Sequence, residues 1–327
     1  MKPVLLFTLI VAFLATSCEL LDPNEEGNLV AKTVAEDLSL PSVQLSSTKL
    51  HVQTYGSPQK TKIFMLEGGT GEDFRYLLVL NNPVKGWSLP QQYQVIYHDY
   101  RGCGLSQRHP SKELTIALSL KDLEELIDKY APNEKIILIG HSHGGFVAAQ
   151  YLNSHPDRVK GAVFIEGGAF STAINKKLPK VNSVNYFGMD INQILWVKQL
   201  IGMDNHTKAD YLYDIGRINR NNADRGQNCP SPNYRAGAAS AIAIAIGEVY
   251  DGNYDFTTKL STFQPQVLFI SSDQSKDLGF DFQERYQASL FPNYIHKKIV
   301  GTGHTGIITC RTEETLGYIK EYLEGIR

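Results

Sequence analysis

Short apolar runs recur along the chain with helical patterns between them. Leu50 to Tyr55, Lys62 to Leu66, Gln94 to His98, Lys135 to Ile139, Val159 to Ile165, Gln266 to Ile270 and Tyr294 to Val300 are rich in Val, Ile, Leu, Phe or Tyr and read as strands. Between several of them the period changes. Leu120, Leu123, Leu126, Ile127 and Tyr130 fall on one face of a helix, and Phe146 to Asn153 and Thr312 to Glu324 follow the same rhythm. Strands alternating with helices imply crossover connections and a mostly parallel sheet buried on both faces, with the two earliest strands free to pair as an antiparallel edge. The fold class is α/β.

The rhythm breaks between residues 171 and 262, a stretch too long for a crossover and without strand-like runs. Ile191 to Ile201, Ala209 to Arg217 and Ala236 to Val249 have helical composition there, although Ala241 to Ile246 alternates Ala and Ile in a way that also suits a strand. The expectation is a helical cap over 171–262, inserted between core segments 31–170 and 263–327.

The N-terminus has a different character. Met1-Lys2-Pro3 is a short positive leader, and Val4 to Ala15 is an apolar run too short to span a bilayer. It ends in Leu14-Ala15-Thr16-Ser17-Cys18, which resembles the lipobox of bacterial lipoproteins. That resemblance implies a signal peptide over 1–17, lipid on Cys18, a solvated tether over 18–30, and an exported protein anchored in a membrane, the outer one being expected. With Cys18 used by lipid, Cys103, Cys229 and Cys310 remain, so at most one disulfide forms within the chain, and the sequence does not choose it.

Composition narrows the partners. The 327 residues are 42% hydrophobic and 20% charged, an ordinary globular balance. Net charge is −2 with both signs scattered, which leaves no electrostatic footprint for nucleic acid.

The strongest chemical signal is Gly140-His141-Ser142-His143-Gly144-Gly145, directly between an expected strand and an expected helix. This is Gly-x-Ser-x-Gly in the context it needs: a turn so tight that only small residues two positions either side let the chain pass, with the hydroxyl held out above a helix N-terminus. A phosphate-binding turn would carry a Gly-Lys-Ser/Thr ending, which is missing.

With that motif in place the chain resembles the α/β-hydrolases, and more narrowly the proline iminopeptidase branch. Leu66-Glu67-Gly68-Gly69-Thr70-Gly71 stands where that branch has His-Gly-Gly-Pro-Gly. Asp99-Tyr100-Arg101-Gly102-Cys103-Gly104-Leu105-Ser106 is close to its Asp-Gln-Arg-Gly-x-Gly-x-Ser, and Gly301-Thr302-Gly303-His304 lies where it keeps a catalytic histidine. The likeness covers about residues 50–170 and 263–327 and leaves the cap unmatched.

Serine needs a base, and the base needs a carboxylate to fix its tautomer. Ser142 is the expected nucleophile and His304 the expected base, while His141 and His143 flank the elbow in structural or substrate-lining roles. The acid is less direct. The resemblance places it after the strand that follows the cap, but Ser275 occupies that position; Asp273 and Asp277 are alternatives if the loop is re-routed. Glu166 is preferred, because Arg158-Val159-Lys160-Gly161, an apolar strand and then the acid is similar to an arrangement in some haloalkane dehalogenases. Oxyanion donors are expected from the N–H groups of His143 and Gly69, with Gly68 or Thr70 as substitutes for the latter. Asp99 and Arg101 read as a charged pair that pins the turn after its strand.

The expected function is a serine hydrolase that cleaves an ester or amide bond in a small molecule or short peptide, through an acyl-enzyme. An aminopeptidase would need carboxylates in the cap for the substrate ammonium; Glu248 and Asp251 are candidates, and both also suit a solvated helix end. Glu67 in place of His, and His143 where many iminopeptidases have Trp, move the expectation toward esters or other amides. The alternative is a lipid-anchored, non-catalytic binding protein on the same fold. Acyl transfer by this set needs no metal and no organic cofactor.

Overall fold

The computed structural model describes residues 30–178, 202, 204–218, 229, 235, 237–250 and 252–326. The expected signal peptide, Cys18 and nearly all of the expected tether lie outside the described residues, as do Ile191 to Ile201 and Asp251. Among the described residues no helix is long and apolar enough to cross a membrane.

Eight strands form one sheet: β1 (Ser42–Gln44), β2 (Lys49–Tyr55), β3 (Lys62–Leu66), β4 (Gln94–His98), β5 (Ile136–His141), β6 (Val159–Ile165), β7 (Val267–Ser272) and β8 (Tyr294–Ile299), in the order β1-β2-β4-β3-β5-β6-β7-β8. From β4 to β8 every pairing is parallel. The antiparallel edge differs from the sequence expectation. β2 pairs not with β3 but with β4, Val52 opposite His98 and Tyr55 opposite Val95, and the short β1 pairs outside it. Residues 56–61, which join β2 to β3, exceed a two-residue hairpin turn and are long enough to step across the intervening strand.

Central strands are buried along their whole length, as a sheet covered on both faces requires. Alternate residues feed two cores. Phe64, Leu66, Ile96, Leu138, Phe164 and Phe269 meet α1 (Ile116–Tyr130) and α2 (His143–Ser154) on one face. Met65, Tyr97, Ile139, Ile165 and Ile270 face the 3₁₀ helix Phe74–Asn81 on the other, together with the C-terminal helix Thr312–Gly325. Thr115 starts α1 by accepting the Leu118 N–H, a cap worth about 1 kcal/mol. The outer strand β8 is the most exposed and carries Lys297 and Lys298, charges that discourage pairing with another chain.

Within 171–262 the described elements are the single turn Thr172–Asn175, α3 (His206–Ile218), α4 (Ala238–Ile242) and a π-helical continuation over Ala243–Tyr250, so the Ala/Ile alternation is helical. α3 and α4 are tied to the core by a buried ion pair. Arg108 Nε donates to Asp210 Oδ2 at 2.9 Å, while Asp210 Oδ1 accepts the Ala238 N–H at 2.7 Å. The chain closes on itself a second time through a disulfide between Cys229 and Cys310, leaving Cys103 as a buried free thiol.

That disulfide spans 81 residues of sequence. Replacing Cys310 by Ser, with Cys229→Ser as the matching change, is expected to cost about 2–4 kcal/mol by releasing the unfolded chain. Urea unfolding with and without reductant checks it: reductant should lower the wild-type midpoint to that of the double variant, and an unchanged midpoint contradicts the expectation.

Candidate active site

Ser142 sits between β5 and α2 with φ 53° and ψ −118°, a conformation few non-glycine residues adopt. Its neighbours explain how the turn closes. A Cβ on Gly140 would stand 2.3 Å from the Gly144 carbonyl, and one on Gly144 would stand 2.1 Å from the Leu66 carbonyl. The serine's own backbone is clamped by the exit of β6: Ser142 N–H donates to the Ile165 carbonyl at 3.0 Å, and its carbonyl accepts the Gly168 N–H at 2.8 Å.

Glu166 lies between those two clamps. It also has positive φ, 43°, and is wholly buried. One oxygen, Oε1, accepts the Ser272 N–H at 2.6 Å and the Ser272 hydroxyl. The other, Oε2, lies 2.6 Å from His304 Nδ1. Because a carboxylate only accepts, Nδ1 carries the proton and Nε2 is left bare. The His304 ring lies beside that of His141, with centroids 4.7 Å apart, which sets it next to the residue preceding Ser142.

Of the expected acids, the structure therefore brings Glu166 to His304. Asp273 instead accepts the Gly301 N–H at 2.8 Å, and Asp277 accepts from Leu278 N–H and Ser275 hydroxyl. Both are held within the loops that follow β7 and β8, where their oxygens organise backbone. Glu248, half-buried within the π-helical stretch, accepts the Ile116 N–H and so caps α1. Asp251 falls outside the described residues.

The expected oxyanion loop runs against the serine: a Cβ on Gly68 would lie 3.0 Å from Ser142 Cβ. Gly68 N–H is committed, donating to Tyr76 Oη at 2.7 Å. Gly69, with φ 68°, has no acceptor for its N–H among the described residues, nor has His143 at the first position of α2, where no intrahelical acceptor exists. Thr70 turns its hydroxyl away to the Ala241 carbonyl of α4 at 3.4 Å, and Gly71 approaches so closely that a Cβ there would meet the Gly237 carbonyl at 2.6 Å.

Asp99 and Arg101 do not form the expected pair. Asp99 accepts from Phe74 N–H, Leu105 N–H and His51 Nδ1, whereas Arg101 makes a two-pronged contact with Asp122 of α1 at 2.7 and 2.8 Å. The reason is steric: with positive φ at Gly102 and Gly104 the loop doubles back, and a Cβ on Gly104 would lie 2.2 Å from Asp99 Oδ2, so that carboxylate faces inward. Sequence reasoning did not reach Ser272, which holds Glu166, or Tyr76, which holds Gly68; neither lies in a motif. Among the described residues no group of three or more His, Cys, Asp or Glu side chains could hold a metal ion.

The surroundings of the serine are neutral and aromatic. His143 stacks on Phe146, centroids 5.1 Å apart, and meets the edge of Tyr100; Tyr254 and Phe256 pack on Phe146 in turn. Burial pushes the His143 and His98 imidazoles down to about 4. Burial, then repulsion from His304, holds His141 well below its ordinary value. Beneath the oxyanion loop, burial and the nearby Asp99 push the Glu67 carboxyl well up.

These shifts set a pH dependence. His98, His141 and His143 are protonated more readily in the unfolded chain, so their contribution is full above about pH 6.5 and falls as pH drops toward 4. Glu67 acts in the opposite sense, favouring the folded state as pH falls; Asp73 and Asp122 do likewise from a lower starting value of 3.8. Three histidines outweigh one strongly raised carboxyl, so the unfolding free energy should fall between pH 7 and pH 5. Denaturant titrations at pH 7, 6 and 5 check this, and a flat or rising profile contradicts it.

Comparison with known proteins agrees with this architecture. A cis-3-alkyl-4-alkyloxetan-2-one decarboxylase from Shewanella oneidensis is 30% identical over 136 residues, covering 41% of this chain and 40% of that protein. A proline iminopeptidase from Thermoplasma volcanium is 29% identical over 119 residues, covering 36% and 38%. The chain thus matches about two fifths of the length of these relatives. The structure of a thermophilic esterase from Thermogutta terrifontis superposes with a TM-score of 0.60 at 18% identity, covering 88% of this chain and 97% of the esterase, which is a likeness of fold. The family described as alpha/beta hydrolase fold matches residues 65–309. With an eight-stranded sheet in this order and a serine elbow after β5, the chain belongs to the α/β-hydrolase fold family.

Proposed function

We propose that the protein is a serine hydrolase that cleaves ester or amide bonds through an acyl-enzyme. The observation that carries this reading is the 2.6 Å contact between buried Glu166 and His304 Nδ1, beside a serine held in an elbow conformation. Glu166 fixes the His304 tautomer, so bare Nε2 takes the Ser142 proton as the hydroxyl attacks the substrate carbonyl. The imidazolium that results is stabilised by Glu166 and gives its proton to the leaving group. The oxyanion is received by the N–H groups of His143 and Gly69, with the N-terminus of α2 adding to its stabilisation. Water then enters, activated by the same base, and releases the acid. The non-catalytic alternative drew its support from the missing acid at Ser275, and Glu166 removes that support.

The substrate is proposed to be an ester or small amide with an apolar acyl part. His143, kept neutral by burial among Tyr100 and Phe146, offers an uncharged wall beside the serine, and Glu248 is spent on capping α1, which weakens the case for an ammonium-binding aminopeptidase. Segment 171–262 is proposed as a cap over the site. Cys18 is proposed as the acylated residue of an exported, membrane-anchored lipoprotein; the disulfide between Cys229 and Cys310 suits an oxidising compartment and supports that location.

A panel of acyl esters and of proline and alanine arylamides tests the reading, with Ser142→Ala as the blank. Serine-dependent ester release is expected; exclusive release from arylamides bearing a free amine would restore the iminopeptidase assignment. Ser142→Ala and His304→Ala should each lower kcat by roughly 10⁶-fold, and Glu166→Gln by about 10⁴-fold, without loss of folding. Unchanged turnover in Glu166→Gln contradicts its role as the acid.

A further inference from the structure

Three groups outside the proposed triad, Gly68 N–H, Tyr76 Oη and His141, form an ordered chain of hydrogen bonds that ends on the His304 carbonyl. His141 is 4% exposed, in the position before the nucleophile. Its Nε2 lies 3.0 Å from the carbonyl oxygen of His304, and its Nδ1 lies 2.7 Å from Tyr76 Oη. Tyr76 Oη in turn accepts the Gly68 N–H at 2.7 Å.

The proton positions follow from one end. A carbonyl oxygen only accepts, so His141 Nε2 must carry hydrogen. A neutral imidazole then has a bare Nδ1, which must accept from the Tyr76 hydroxyl. That hydroxyl, having given its one hydrogen, has lone pairs for Gly68 N–H. The sequence of donors is therefore fixed as Gly68 N–H to Tyr76 O–H to His141 to the His304 carbonyl. A second proton on His141 would reverse its bond with Tyr76, turning the Tyr76 hydroxyl hydrogen away, and would put a second cation 4.7 Å from the ring that must itself become cationic. Burial keeps that second proton off.

We propose that Tyr76 and His141 are positioning residues that lock the oxyanion loop, the serine elbow and the base loop into one rigid unit. This rests on the hydrolase reading above. The three parts come from the ends of β3, β5 and β8, and this chain joins all three. Gly68 anchors the loop whose next residue is a proposed oxyanion donor, and the His304 carbonyl belongs to the proposed base itself. Losing the chain frees that loop and that base to drift, and displacements of the order of 1 Å in such a site cost about 100-fold in rate.

The test has two readouts. In the first, long-range ¹⁵N–¹H spectra of the wild-type protein at pH 7 should show His141 as the neutral Nε2–H tautomer; the Nδ1–H or doubly protonated form overturns the proposal whatever the protein hydrolyses. In the second, kcat and KM are measured on an ester that the wild type cleaves and Ser142→Ala does not. His141→Leu should lower kcat by about 100-fold and Tyr76→Phe by about 10-fold, each with KM nearly unchanged. His141→Gln should recover most of the loss, because its amide supplies an N–H and an acceptor. A His141→Leu protein that is less stable yet retains wild-type kcat when folded has lost only packing, which overturns the proposal and leaves the hydrolase reading intact. A wild type that neither turns over nor labels with a fluorophosphonate overturns both.

Discussion

The arrangement of the site depends on a serine backbone held at φ 53° and ψ −118°. Strain of this kind costs of order 1–3 kcal/mol and persists only where the surroundings over-determine it. Here three surroundings do so. Gly140 and Gly144 remove the side chains that would collide across the turn, and the carbonyl of Leu66 approaches α2 too closely for any Cβ at 144. The exit of β6 then grips the serine from both sides through Ile165 and Gly168. Because Glu166 sits between those two gripping residues, nucleophile and carboxylate are fixed by the same short stretch of backbone.

That coupling gives physical sense to the unusual place of the proposed acid. A carboxylate wholly buried at the end of an inner strand is costly unless its oxygens are used. Both are: one by the Ser272 N–H and hydroxyl at the end of β7, the other by His304. The position after β7 that the resemblance associates with the acid is thereby converted into the acid's support. Ser275 reinforces it, donating its N–H to Ser272 Oγ at 3.3 Å. A direct line of hydrogen bonds thus runs from the end of β7 through Glu166 to His304.

Much of this was readable from residue types because burial on both faces of a parallel sheet leaves a plain signature. Seven strands appear within two residues of where runs of Val, Ile, Leu, Phe and Tyr place them. β1 escaped because Ser42-Val43-Gln44 is only three residues long and one of them is apolar. Strand partnership escaped for another reason: whether β2 lies beside β3 or β4 is decided by how far a connection reaches, which local composition does not encode. Ser142 and His304 were legible from the glycines around them, since tight turns demand glycine. Glu166 could be preferred from its neighbours, but only the contact with His304 separates it from Asp273 and Asp277. Tyr76 and Arg101 show the limit: their partners lie 65 and 21 residues away, and such pairs leave no periodic trace.

The measurement that bears most directly on the whole account is intact-mass analysis after exposure to a fluorophosphonate, with peptide mapping of any adduct. The account predicts one adduct, on Ser142, forming rapidly in the wild type and far more slowly in Glu166→Gln, because the reagent reports the activated hydroxyl rather than any particular substrate. No adduct, or one on a different serine, would contradict the claim that Ser142, His304 and Glu166 act together.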